Sequence, residues 1–217
     1  NPQVWIRGKM LGGSSAINGM VWNRGVAEDY DGLEALGNPG WGWKDMLRCL
    51  RALEDHNLGE SEYRGVGGPI AITTNPNQNA LWAATIAAGN SLQLRTKEDQ
   101  NGPDLEGIGY AQWNIDASGK RISSARVLLD TAKNRPNLSI RTGTRVTRVL
   151  IANGKATGVA CVTGDEQIEL HAAREVILCA GGLISPKILQ LSGIGDGALL
   201  QSLGIDLFAQ DGSGLIS

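Results

Sequence analysis

The chain has 217 residues, 41% of them hydrophobic and 19% charged, with a formal net charge of −2. Such a balance fits a soluble globular protein long enough to bury roughly 70% of its unfolded surface, and it argues against a nucleic-acid binder held by a basic face. No apolar run reaches the roughly 18 residues that a membrane span needs, and residues 1–20 lack the charged start and apolar centre of a signal peptide.

The first feature along the chain is the stretch RGKMLGGSSAINGMVWNRG, from Arg7 to Gly25. Two adjacent glycines followed by two serines let backbone amides come close to another group, because glycine lacks a Cβ and serine adds hydroxyl donors. The usual guest of such a surface is an anion, most often a phosphate. A tight turn between two packed elements accounts for the same residues, and local sequence leaves both readings open.

Val26, Tyr30, Leu33 and Leu36 then recur at helical spacing up to Gly37. Beyond the NPGWGW turn, Trp43, Met46, Leu47, Leu50 and Leu53 make one apolar stripe of a second helix, with Lys44, Asp45, Arg48, Arg51 and Glu54 on its other faces. Residues 57–79 are rich in Gly, Pro and Asn around a short strand-like PIAIT. Leu81–Leu92 reads as a helix, and TKEDQNGPDLEGIGY returns to loop. Trp82 and Tyr110 in this middle segment read as core packing or, alternatively, as pocket residues.

SSARVLLDTA predicts a helix opened by a cap at Ser123 or Ser124 and closed before the Asn-Arg-Pro-Asn turn at 134–137. Two strands joined by Asn153-Gly154, and a third after Gly164-Asp165, predict a three-stranded meander. EVILCAGGLISPKILQLSGIG then reads as strand, glycine turn and helix, with Ser185 as N-cap and Pro186 in the first turn. This order is how doubly wound sheets present a helix start to a nucleotide, although it also occurs in folds that bind nothing there.

Three cysteines, Cys49, Cys161 and Cys179, stand far apart without a CxxC pair, so neither a disulfide framework nor a zinc site is expected, and a reducing compartment fits. His56, at the end of a predicted helix, and His171, at the end of a predicted strand, lack a partner at metal spacing and read as surface or capping residues.

The two glycine-bearing turns together resemble the glucose-methanol-choline (GMC) oxidoreductases, with choline dehydrogenase-like members nearest in character. Gly12-Gly13-Ser14-Ser15 with Asn18-Gly19 is similar to that family's flavin loop, and residues 181–195, GGLISPKILQLSGIG, to its second signature. DQNG, GKRISSARVLL and RPNLSIRTGTRVTRV match between them in order, so the resemblance covers essentially the whole chain.

The resemblance implies an α/β fold: an incomplete Rossmann-like FAD-binding domain with a three-stranded β-meander and part of an α+β substrate domain. Residues 1–58 would carry the flavin loop and following helices, 59–118 a contribution to the substrate domain, and 119–217 the return to the FAD-binding domain. Gly12, Gly13 and Ser14 would approach the diphosphate and ribityl chain. Asn18, Gly19 and Val21 would lie against the isoalloxazine. Val146 would read the adenine through its main chain, or else be a plain strand valine facing the core, and Ala180 and Gly181 would pass close to the cofactor.

Where some relatives carry a histidine that bonds the flavin covalently, this chain has Ile17, so non-covalent FAD is expected. Gly182 departs from the usual residue of the second signature, as does the C-terminal DGSGLIS. No GxGxxG stands anywhere, and no candidate catalytic histidine with its partner is found, so the chain reads as the interior of a longer polypeptide with its catalytic residues elsewhere. The implied activity is oxidation of a primary alcohol, choline-like or another small or aryl alcohol, by hydride transfer to flavin N5, in a cytoplasmic enzyme whose electron acceptor is not specified. A hydroxynitrile lyase of the same family and a non-catalytic remnant are the alternatives.

Overall fold

A computed structural model describes residues 2–74, 79–104 and 106–210. The C-terminal DGSGLIS departure lies outside the described residues. Residues 1–138 and 139–217 form two units, each with its own interior.

In the first unit, helix α1 (Ala27–Ala35) opens where the Asp29 carboxylate accepts from the Val26 amide at 3.0 Å, with Glu28 and Asp29 placed to complement the positive end of the helix. It stops at Gly37, whose φ is +95°. Helix α2 (Trp43–Leu53) follows, tied to α1 by the Trp43 amide donating to Asp31 at 2.8 Å and by the tilted rings of Tyr30 and Trp43, 5.5 Å apart. Its expected stripe is half-buried along its length.

The sequence reading carries this helix through Glu54 towards His56; the structure ends it at Leu53. Glu54–His56 is instead a strand, β1, which pairs in parallel with β2 (Ile70–Thr74) in the register Glu54↔Ile70 and His56↔Ile72. The loop between them supplies the dozen or so residues that a parallel connection requires. Partners from distant segments enclose Glu54 and His56 and override the local helical pattern. Strand β3 (Gln112–Trp113) pairs antiparallel with β2 and completes a three-stranded sheet.

Helix α3 (Ala80–Ser91) is capped by Asn79, whose side chain accepts from the Trp82 amide at 3.0 Å. The SSARVLLDTA helix forms as a π-helical turn over Ala125–Leu129 that runs into α4 (Asp130–Ala132). Ser123 is its cap, accepting from the Arg126 amide at 3.3 Å, because Ser124 is committed elsewhere.

In the second unit the expected meander is present as β4 (Thr144–Ala152), β5 (Lys155–Thr163) and β6 (Glu166–His171). Asn153 and Gly154 have φ of +51° and +78°, the two positive values that a two-residue hairpin turn of matching twist demands. Helix α5 (Ile184–Leu191) buries Ile188 and packs against β4, and Val149, Leu150 and Cys161 of the meander are buried as well. Its link to β4 is Ser192, whose Oγ accepts from the Val149 amide at 2.8 Å and donates to the Ile188 carbonyl at 2.6 Å. Two short parallel strands, β7 (Ile194–Gly195) and β8 (Ala209–Gln210), flank α6 (Gly197–Ser202), which Asp196 caps through the Leu199 amide at 2.7 Å.

Two local expectations change. Residues 175–179 form no regular element and pair with no described strand, and Ile177 is 74% exposed. An apolar run becomes a sheet strand only where a neighbour offers its backbone groups. Ser185 lies inside the first turn of α5 and does not cap it; its hydroxyl accepts from the Ala180 amide at 3.0 Å and latches the preceding glycine turn.

Candidate functional site

In the first unit the glycine-serine stretch is a folded turn. Gly12 adopts the left-handed conformation with φ +87°, and a short 3₁₀ turn spans Gly13–Ala16. A side chain on Gly12 would put its Cβ 3.1 Å from that of Ala125, so this position requires glycine both for its backbone angle and for its closeness to the 125 segment. The Gly8 amide donates to Ser14 Oγ at 3.2 Å, and the Gly13 amide to the Met10 carbonyl at 2.9 Å. Among the described residues, the amides of Gly12 and Ser14 have no hydrogen-bond acceptor. Free amides beside a hydroxyl suit an anionic group.

Ser15 fixes the turn from beneath. Its Oγ donates to the Gly12 carbonyl at 2.5 Å, lies 3.0 Å from Ser124 Oγ, and accepts from the Ser124 amide at 3.0 Å. Further along, Arg121 Nη1 donates to the Asn18 carbonyl and to Asn18 Oδ1, both at 2.7 Å, and to the Ser15 carbonyl at 3.2 Å. Val21 forms an isolated bridge with Trp113 and is exposed. A Cβ at Gly13 or Gly19 would meet nothing within 4 Å, so open space lies beside this stretch. Gly19 lacks a positive φ as well, and nothing in its own unit demands glycine there. Thus Gly12, Gly13, Ser14, Asn18, Gly19 and Val21 stand on one braced segment, in which Gly13 and Gly19 leave room for a close-lying group.

A buried polar network holds the residues that follow. Arg24 pairs with Glu54, and both are enclosed. Trp22 Nε1 also donates to Glu54, the Gly65 amide donates to Glu54 Oε2 at 3.1 Å, and Arg24 Nη1 donates to the Tyr63 carbonyl at 2.6 Å. Asn101 Oδ1 accepts from the Arg24 amide at 2.8 Å, while its Nδ2 donates to the Trp22 carbonyl and to Gln112. Gln112 Nε2 donates in turn to Asp99, which Arg64 also meets at 2.8 Å. Burial pushes the Asp99 carboxyl up, but the Asn101 amide, Gln112 and Arg64 together hold it below its usual range.

His56, expected at the surface or as a cap, is buried beside this network. Its Nδ1 accepts from the Leu58 amide at 3.1 Å and its Nε2 has no hydrogen-bond partner among the described residues. Burial lowers its pKa, against the opposing pull of Gln112, Asp99 and Glu54. His171 ends β6, exposed. Trp82, read first as core, is half-exposed and lines a cavity of about 250 Å³ with Ile86, Ile108, Tyr110 and Trp113.

In the second unit, Val146 lies opposite Cys161 in β4, directly before a bulge at Thr147. Ala180 and Gly181 form the turn before α5, and Gly181 has φ +91°. Gly182 has neither a positive φ nor any atom within 4 Å of where a Cβ would be. The sequence by itself gives Arg121, Arg24 and Gln112 no role, Ser124 only that of a candidate helix cap and Glu54 only a place on a polar helix face; the motifs GKRISSARVLL and DQNG contain a signal for Arg121 and Asn101 only as matched strings.

The family model described as GMC oxidoreductase matches residues 1–209. The oxygen-dependent choline dehydrogenase of Paraburkholderia phymatum is 43% identical over 201 residues, which are 92% of this chain and 35% of that protein. Among solved structures, pyridoxine 4-oxidase from Mesorbium loti superposes with a TM-score of 0.88 at 34% identity, over 95% of this chain and 41% of that one. An FAD-dependent oxidoreductase from Chaetomium thermophilum gives a TM-score of 0.88 at 32% identity, over 94% and 38%. The chain therefore spans little more than a third of the length of these relatives.

Proposed function

Since the chain belongs to the GMC oxidoreductase family, we propose that the polypeptide containing it is an FAD-dependent oxidoreductase acting on the CH–OH group of a primary alcohol, choline-like or another small or aryl alcohol. The carrying observation is the Gly12–Ser14 turn, whose free amides and adjoining open space fit a phosphate-bearing, planar cofactor. The amides of Gly12 and Ser14 and the Ser14 hydroxyl bind the diphosphate and ribityl region. Asn18, Gly19 and Val21 orient the ring system, and Gly13, with open space where its Cβ would be, allows the main chain to approach. Val146 reads the adenine through its backbone, and Ala180 and Gly181 border the cofactor. Ile17 offers no nucleophile, so attachment is non-covalent. When bound, FAD supplies the two-electron acceptor for hydride leaving the alcohol carbon.

Residues 59–118 contribute to the substrate domain. Neither histidine serves as the base that takes the hydroxyl proton: His56 is enclosed beside Glu54, Asp99 and Arg64, and His171 ends an exposed strand. That base comes from elsewhere in the polypeptide.

The test is the visible spectrum of the whole purified polypeptide. Flavin bands that bleach on anaerobic addition of a primary alcohol are expected. A colourless protein that retains no added FAD overturns the proposal.

A further inference from the structure

Asn18 is the one predicted ring contact with a polar side chain, and its orientation is set from a distance. Its Oδ1 accepts from Arg121 Nη1 at 2.7 Å and from the Met20 amide at 3.2 Å. A carboxamide that takes two donors on its oxygen must turn its NH₂ the other way, since the reversed orientation would set N–H groups against a guanidinium. Among the described residues Nδ2 has no partner, and the side chain is exposed.

The same Arg121 nitrogen also meets the Asn18 and Ser15 carbonyls, so one charged group grips both the loop backbone and its functional side chain. Arg121 is itself braced. Arg126 Nη1 donates to its carbonyl at 2.9 Å while Nη2 bonds Asp116 at 2.6 Å, and Arg121 bridges Ile115 across a short hairpin. Hydrogen bonds from the Ser118 side chain and the Lys120 amide, together with Arg126, hold the Asp116 carboxyl well below its usual range, so the brace stays charged at any ordinary pH.

We infer that Arg121 is a positioning residue for flavin binding: it locks the Asn18 carboxamide with its oxygen inward and its NH₂ outward, ready to donate to an acceptor atom of the isoalloxazine. The inference rests on the flavin reading above. Arg121 touches the loop and acts on the cofactor only through it.

The test uses the whole polypeptide as holoprotein, in wild-type form and as Arg121→Met, Arg121→Lys, Asn18→Ala and the Asn18→Ala/Arg121→Met double variant. FAD affinity, the position of the flavin absorption bands and flavin fluorescence are read beside far-UV circular dichroism of the apoprotein. Arg121→Met is expected to weaken FAD binding roughly ten- to a hundredfold, the range for a lost charge-assisted hydrogen bond, and to shift the bands. Arg121→Lys should fall between, because the ammonium keeps the charge and its donors but lacks the rigid guanidinium that fixes where they point. The Arg121 effect should shrink severalfold in the Asn18→Ala background.

Equal affinity and an unchanged spectrum in Arg121→Met overturn the inference while leaving the flavin reading intact. So does a full, undiminished Arg121 effect in the absence of the Asn18 side chain. A wild-type polypeptide that binds no FAD overturns both. Should Arg121→Met not fold, Arg121→Lys takes its place in the same cycle.

Discussion

Arg24 and Glu54, thirty residues apart in the chain, form an ion pair with 3% and 0% of their side chains exposed. Around it the first unit has a largely polar interior. Asn101 and Gln112 are buried there with few enclosed aliphatic side chains, Ile72 and Ile122 among them. A buried pair is costly unless its other lone pairs and protons find partners; Trp22 and Gly65 supply them to Glu54 and the Tyr63 carbonyl to Arg24 Nη1, while Arg24 Nε has none among the described residues.

Removing one charge should therefore be costly. Glu54→Gln leaves the Arg24 guanidinium enclosed without its countercharge, and a loss of about 3–5 kcal/mol is expected. Urea unfolding should show a lower midpoint with an unchanged slope. An unaltered midpoint would mean that the pair is solvated in solution.

Gly12 and Gly19 should separate folding from cofactor binding. Gly12→Ala forces a Cβ into the left-handed region and against Ala125, and should cost about 1–2 kcal/mol of stability. Gly19→Ala meets neither obstacle, so the melting temperature of the apoprotein should hold. Its methyl group would enter the space assigned to the ring system, and FAD content after purification should fall. Full FAD content in Gly19→Ala would remove Gly19 from the site.

Acid should destabilise the first unit through His56. Its folded pKa lies below the ordinary 6.5, so the unfolded chain binds the proton more readily. Stability should be complete above about pH 6.5 and decline as pH falls from there towards the folded value. Asp99, also lowered, adds a second loss only further down, below its ordinary 3.8. His56→Gln should flatten the first decline and spare the second, as read from unfolding midpoints across the pH range.

Ser192 supports the second unit. Ser192→Ala leaves the amide of buried Val149 without its partner, and should cost about 1–3 kcal/mol, measured by thermal unfolding. Ser192→Thr retains the hydroxyl and should recover most of it.

What the residues alone determined are the features whose causes lie within a few positions. Helix α2 follows from its apolar stripe, α1 and α3 open on the nearby Asp29 and Asn79 side chains, and the β4–β5 hairpin follows from Asn153-Gly154, because neighbouring residues set these dihedral angles. The order of the glycine and serine motifs likewise made the family legible. Tertiary structure decided the rest. Glu54–His56 became a strand because partners from segments around 22–24, 65, 99 and 112 enclose it, and 175–179 stayed unpaired for want of a neighbouring edge. The amides of the Gly12 turn are displayed through contacts with Ser124, and the Asn18 carboxamide is aimed by Arg121, residues 109 and 103 positions from their partners. Local dihedral preference can be read from adjacent letters, whereas the partner of a buried or aimed polar group is known only once distant segments have met.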